Sequence, residues 1–149
     1  MRILFVCSTG GHLAQLMALR PWWEEHERTW VTFDLEPAKT QLADETVIWG
    51  HHPTTRHVPN LFRNAVLATK VLRTYRPDVV VSTGAGLAIP YFPLGKLFGA
   101  RTVYLEVYDR IDSPTITGRV CYPFSDLFCL QWEEQRRSYP KGVVVGRTL

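Results

Sequence analysis

The sequence predicts an α/β protein built on a Rossmann-like, doubly wound parallel sheet. Two observations carry this. Short β-rich runs alternate with helix-compatible stretches along the whole chain, as happens when each strand reaches its parallel neighbour through a crossover helix. Several runs, VVVS (79–82) and LFCL (127–130) among them, are continuously apolar rather than alternating, as expected when helices cover both faces of a sheet. Strands are expected at Arg2–Cys7 (RILFVC), Thr29–Phe33 (TWVTF), Thr46–Trp49 (TVIW), Asp78–Ser82 (DVVVS), Arg101–Val107 (RTVYLEV), Asp126–Gln131 (DLFCLQ) and Gly142–Val145 (GVVV). Between them lie expected helices at Leu13–Leu19, Pro37–Leu42, Asn60–Tyr75, Leu87–Phe98 and Ser113–Phe124, then a short one at Glu133–Ser138. The clearest is Asn60–Tyr75. Asn60 is placed to cap it and Pro77 to stop it, while Leu61, Ala65, Ala68, Leu72 and Tyr75 share one side. Arg63 and Lys70 project opposite that side, flanked by Arg73 and Arg76.

The 149 residues fit one domain spanning 1–149, with enough chain for a real core. At 46% hydrophobic and 21% charged residues the composition excludes a disordered chain. Three cysteines, Cys7, Cys121 and Cys129, make an odd count without a CxxC pair. That pattern argues against a disulfide framework or a zinc site and for a reducing compartment. The apolar run at the N-terminus is too brief for a signal peptide, and no stretch reaches the roughly 18 apolar residues of a membrane span. A cytoplasmic location is expected, with no cofactor, metal or nucleic-acid partner.

Charge is unevenly spread. Residues 1–45 carry four basic and seven acidic side chains, whereas residues 46–105 carry seven basic ones against Asp78 alone. A basic middle third suits an anionic surface or ligand, and also an ordinary solvated helix face.

In an open α/β sheet, ligands bind beyond the carboxyl ends of the strands. Three loops occupy such positions: STGGH (8–12), STGAG (82–86) and EVYDR (106–110). Glycine allows a tight turn and close ligand approach, and a following helix start offers unpaired N–H groups that suit phosphate. A diphosphate gripped between the two glycine loops is one reading; two plain strand-to-helix turns are the other. His12, beside the first loop, is a candidate base or hydrogen-bond donor as a neutral imidazole, or merely lines the turn. Glu106 and Asp109 are carboxylates at a strand end, each a candidate base, hydroxyl-binding group or partner of Arg110. The apolar segment GLAIPYFPLGKLFG (86–99), with Lys96 at its edge, is either a buried helix or a patch that rests on a membrane beside the basic helix.

The segments CSTGGHLAQL (7–16), the long stretch from Arg76 to Pro140, and the ending GVVVG (142–146) resemble the bacterial PssD-type exopolysaccharide glycosyltransferase subunits. They are also similar to the membrane-recruiting subunit of the dolichol-pathway N-acetylglucosaminyltransferase. A looser likeness exists to the N-terminal half of MurG. The resemblance implies that the chain is the N-terminal, acceptor-side half of a GT-B glycosyltransferase. The UDP-sugar-binding half would be a separate PssE-type subunit, and activity would need both. The implied acceptor is a polyprenyl-diphosphate-linked sugar at the inner membrane face. Residue by residue, Gly10, Gly11 and His12 match the first family loop, Gly84 and Gly86 the second, and Glu106 with Arg110 the Glu…Arg pattern after the fifth strand. The expected site therefore comprises His12 and Glu106 as catalytic residues, with Ser8, Thr9, Gly10, Gly11, Ser82, Thr83, Gly84, Gly86 and Arg110 around the acceptor diphosphate. The eukaryotic subunit has an N-terminal anchor and this sequence opens at its first strand, so membrane contact is expected from the basic and apolar surfaces. Two other readings stay open: a scaffold that recruits a catalytic partner, and a stand-alone nucleotide-binding protein with Asp34 as its ribose acid. Against the latter, GGHLAQ lacks the third glycine of a dinucleotide fingerprint.

Overall fold

The structure, a computed structural model, describes residues 1–148. Seven parallel strands form one sheet: β1 Arg2–Cys7, β2 Glu27–Thr32, β3 Val47–Trp49, β4 Val79–Gly84, β5 Arg101–Leu105, β6 Leu127–Leu130 and β7 Val143–Val144. Their order is β3-β2-β1-β4-β5-β6-β7. The chain winds outward first one way and then the other, so the topological switch lies between β1 and β4, where such sheets open a crevice.

Helices α1 Gly11–Met17, α2 Arg20–Trp23 and α3 Ala38–Gln41 cover one face, while α4 Val58–Tyr75, α5 Tyr91–Leu97 and α6 Ile116–Cys121 cover the other. Successive strand residues point to opposite faces, and β1 serves both layers. Leu4 and Val6 pack with Ala68, Leu72, Tyr91, Phe92 and Cys121, whereas Ile3, Phe5 and Cys7 pack with Leu13, Leu16, Trp23 and Trp30. All three cysteines are buried and unpaired, and burial pushes the Cys7 thiol up to about 12. They are core residues.

The departures from the expected elements have local causes. The stretch 87–98 is not one helix: a 3-10 turn at Gly86–Ala88 is followed by α5, with Pro90 just before it. The expected helix at Ser113–Phe124 begins only at Ile116, because the Thr115 hydroxyl caps it by accepting from the Gly118 N–H at 2.9 Å. In α4 the cap is His57, whose Nδ1 accepts from the Asn60 N–H at 3.1 Å. The buried stripe of α4 is Asn60, Asn64, Ala68, Val71 and Leu72, and Leu61 is exposed. Two asparagines displace the apolar stripe because the preceding loop satisfies them. Asn60 Nδ2 donates to the Pro53 carbonyl at 2.8 Å, and Asn64 exchanges hydrogen bonds with the backbone of His51 at 2.8 and 3.0 Å. Buried amides without partners would cost about 1–3 kcal/mol each; here they fasten the 51–57 loop over the sheet edge.

The two helical layers differ in charge. No acidic residue occurs in α4, α5 or α6, which carry Arg63, Lys70, Arg73, Lys96 and Arg119. Their outer surface also exposes Val58, Phe62, Val66, Leu97 and Ile116, each more than 60% accessible. The segment 86–99 expected as either core or patch is divided: Tyr91 and Phe92 are buried, while Leu97 and Phe98 face out. Among the described residues, no helix is long and apolar enough to cross a membrane.

Candidate functional site

The two glycine loops leave β1 and β4, the strands flanking the switch point, and they are joined. His12 Nδ1 lies 2.9 Å from the Thr83 carbonyl, and the Thr83 hydroxyl donates to the His12 carbonyl at 2.7 Å. A carbonyl only accepts, so Nδ1 carries the proton, and in the neutral imidazole the lone pair lies on Nε2. The loops thus form one unit, with the imidazole as its clasp. Backbone geometry reinforces this. Gly10 adopts φ 76°, and Gly84 adopts φ 115° with its N–H bonded to the Ser82 hydroxyl at 2.9 Å. A Cβ at Gly84 would stand 2.6 Å from the buried Tyr104 hydroxyl. Ala85 follows at φ 75°, ψ 159°, a region that glycine alone enters freely, at a cost of about 1–3 kcal/mol for other residues. Gly84→Ala combines disfavoured φ with overpacking, and should cost roughly 2–5 kcal/mol in urea unfolding. A loss below about 1 kcal/mol would show that the loop can turn another way.

Before these loops lies a cleft of about 790 Å³. Ser8, Thr9, His12, Gly86 and Arg110 line it, five of the residues expected there. Gly10 and Gly11 are exposed at the start of α1 beside it, and no side chain caps that helix. Ser82, Thr83 and Gly84, expected to touch the ligand, are instead buried behind the wall as turn builders. The reason is visible in their bonds: both hydroxyls are committed to backbone partners.

Glu106 also departs from expectation. Its side chain is fully buried and surrounded by donors: Tyr139 Oη at 2.7 Å, the Val107 N–H at 3.0 Å and the Thr115 hydroxyl at 3.4 Å. It is absent from the cleft lining, and its hydrogen bonds tie β5 to the α6 cap and to Tyr139. Gly118 makes room for it, since a Cβ there would meet the Tyr139 hydroxyl and stand 2.7 Å from Glu106 Oε2. Asp109 is exposed and outside the cleft lining. Asp34 is exposed and pairs with Lys39 at 3.5 Å; it is not among the lining residues, although its neighbours Phe33 and Leu35 are.

Sequence reasoning missed two groups. The first is the 52–56 loop after β3, which brings His52, Thr54 and Arg56 to the cleft that Arg110 also lines. The rule that ligands gather at the carboxyl ends of strands covers β3 as well, so the signal existed. Arg56 adopts φ 50°, uncommon for a residue with a Cβ, and neither Arg56 nor Arg110 pairs with a carboxylate among the described residues. The second is a buried amide network with no sequence signal at all. Gln131 Nε2 donates to Gln15 Oε1 and to the Glu106 carbonyl, and Gln135 Nε2 donates to the carbonyls of Val107 and Arg110 at 3.1 and 3.0 Å. It fixes the loop that presents Arg110.

A larger groove, about 1150 Å³, lies at the far end of α4, lined by Lys70, Arg73, Arg76, Leu97 and Phe98. It has neither glycine loop nor histidine, and the chemistry favours the smaller cleft.

A sheet of this order with paired glycine loops at its switch point is a Rossmann-like, doubly wound fold, and solved glycosyltransferase and epimerase structures share it. Acinetobacter baumannii MurG superposes with a TM-score of 0.71 at 14% identity, over 88% of this chain and 41% of that one. The UDP-N-acetylglucosamine 2-epimerase of Rickettsia bellii gives 0.77 at 12% identity, over 99% and 45%. The chain spans less than half the length of these solved structures. Residues 51–148 match the family described as "Oligosaccharide biosynthesis protein Alg14 like", and the chain belongs to that family. The rat UDP-N-acetylglucosamine transferase subunit ALG14 is 24% identical over 176 residues, covering 97% of this chain and 82% of the rat protein. The Schizosaccharomyces pombe subunit alg14 is 31% identical over 75 residues, covering 47% and 36%.

Proposed function

We propose that this chain is the acceptor-binding, membrane-associating subunit of a two-component GT-B glycosyltransferase. With a separate UDP-sugar-binding subunit of PssE type, it transfers a sugar, N-acetylglucosamine by analogy with the rat and yeast relatives' names, to a polyprenyl-diphosphate-linked saccharide. The product serves lipid-linked oligosaccharide or exopolysaccharide synthesis. The observation that carries this reading is the His12–Thr83 clasp, which joins two glycine loops beside a cleft lined by two guanidinium groups without acidic partners among the described residues.

In this reading Ser8, Thr9, Gly10, Gly11 and Gly86 face the acceptor diphosphate, and Arg110 supplies charge-assisted hydrogen bonds to it. Thr83 holds His12 with Nε2 toward the cleft, where it accepts the proton of the attacking acceptor hydroxyl. Ser82 and Gly84 shape the second loop, and Glu106 keeps the Thr115 wall in register. The acid-free layer of α4, α5 and α6 lies on the inner face of the membrane, its cations against anionic headgroups and its exposed apolar side chains at the acyl boundary.

The test is transfer from UDP-N-acetylglucosamine to lipid acceptor on membranes, with this chain and its candidate partner expressed together and singly. Turnover is expected only from the pair. Turnover by this chain alone overturns the split-enzyme reading, and a stable pair inactive with every UDP-sugar overturns the enzymatic one.

A further inference from the structure

A second concavity opens off the cleft. It is a narrow groove of about 170 Å³ bounded by Thr54, Arg56, His57, Val58, Leu61, Gly86 and Ile89. Four of these, Thr54, Arg56, Gly86 and Ile89, also line the cleft, so the two spaces run together past Arg56. The walls change character along the way. At the cleft end stand the guanidinium of Arg56, the second glycine loop and Ile89; at the far end the walls are Leu61, Val58 and His57. Beyond Val58 the apolar line continues in the open, with Val58, Phe62 and Val66 spaced four residues apart on one side of α4, at 61, 68 and 72% exposure. One path therefore leads from an exposed apolar helix face, through an apolar groove, to a cationic mouth.

We propose that this groove seats the first isoprene units of a polyprenyl diphosphate, with Arg56 clasping the diphosphate where groove meets cleft. The proposal rests on the acceptor-binding reading above and adds to it the track by which the lipid enters. An anion at the mouth meets the charge of Arg56, with Arg110 on the lining of the adjoining cleft, and neither pairs with a carboxylate among the described residues. A hydrocarbon chain leaving that anion finds the groove as an apolar exit, and removing its methylenes from water favours binding. The 51–57 loop that forms the roof is pinned by Asn60 and Asn64, which explains amides on the buried stripe of α4. Arg56 keeps its left-handed backbone because both sides of that loop are anchored.

The experiment is calorimetric titration of the full chain with three probes: inorganic pyrophosphate, geranyl diphosphate and geranylgeranyl diphosphate. Both prenyl diphosphates should bind more tightly than pyrophosphate, by about tenfold or more. Leu61→Asn should remove most of that gain and leave pyrophosphate binding unchanged. Val58→Asn, at a still more exposed position, should act in the same direction and guards against misfolding of the first variant. Arg56→Gln should weaken all three ligands by about tenfold. Pyrophosphate binding with no gain from the prenyl chain, or a gain indifferent to Leu61 and Val58, overturns the groove and leaves the diphosphate cleft standing. Failure of all three ligands to bind overturns the acceptor reading and the groove with it.

Discussion

His12→Ala is expected to lower kcat of the assembled transferase by about 10²–10⁴-fold, the usual contribution of a general base. In the proposed reading two functions are removed at once, because the imidazole clasps Thr83 through Nδ1 and would offer Nε2 to the cleft it lines. His12→Asn separates them. Its amide nitrogen can stand near the position of Nδ1 and keep donating to the Thr83 carbonyl, but nothing replaces Nε2. If proton transfer is the role, Asn and Ala are equally inactive, while Asn restores acceptor KM and thermal stability. Recovery of turnover in the Asn variant would assign His12 to positioning alone. The pH profile of kcat/KM provides the second readout, since losing a base removes the acid limb of the curve.

Glu106→Ala is expected to destabilise the chain by roughly 3–5 kcal/mol, among the larger effects of a single substitution. The carboxylate accepts from Tyr139, Val107 and Thr115, and its removal leaves a cavity with buried donors that no water reaches easily. Glu106→Gln should recover much of the loss, because Oε1 still accepts and only one donor is left facing an amide N–H. Urea unfolding measures both. A Glu106→Ala variant that unfolds at the normal midpoint yet has lost turnover would return Glu106 to the reacting centre.

The strands were legible because apolar runs of four to six residues have few other uses, and all seven appear within a few residues of their expected limits. The helix breaks at Pro90 and Thr115 were less so. A proline and a capping threonine leave several endpoints open, and packing against the sheet chose among them. The cleft was half legible. STGGH and STGAG announced themselves through glycine, and His12 and Arg110 through their neighbours. In the sequence Arg56 is one of the seven basic residues of 46–105, and only the fold shows that β3 ends beside the same crevice. Ser82, Thr83 and Glu106 lie off the cleft lining. A motif gives residue types at a strand end, but the partners the fold supplies, the Gly84 N–H, the His12 carbonyl and the Tyr139 hydroxyl, hold these three side chains in the interior. The Gln15–Gln131–Gln135 network joins residues more than a hundred positions apart, and no local pattern encodes it.

The division of charge between the two helical layers has an electrical consequence. The first 45 residues carry seven carboxylates against four basic side chains, whereas of the five cations on the acid-free helices only Lys96 pairs with a carboxylate among the described residues, Asp126; this imbalance between the two layers amounts to a dipole. Above a negatively charged leaflet the field exerts a torque on that dipole. It acts within about 8 Å of the surface at physiological salt, the range over which ions leave the field unscreened. Under the proposed membrane association the chain would then be turned during its last approach, so that the α4 face meets the lipid first.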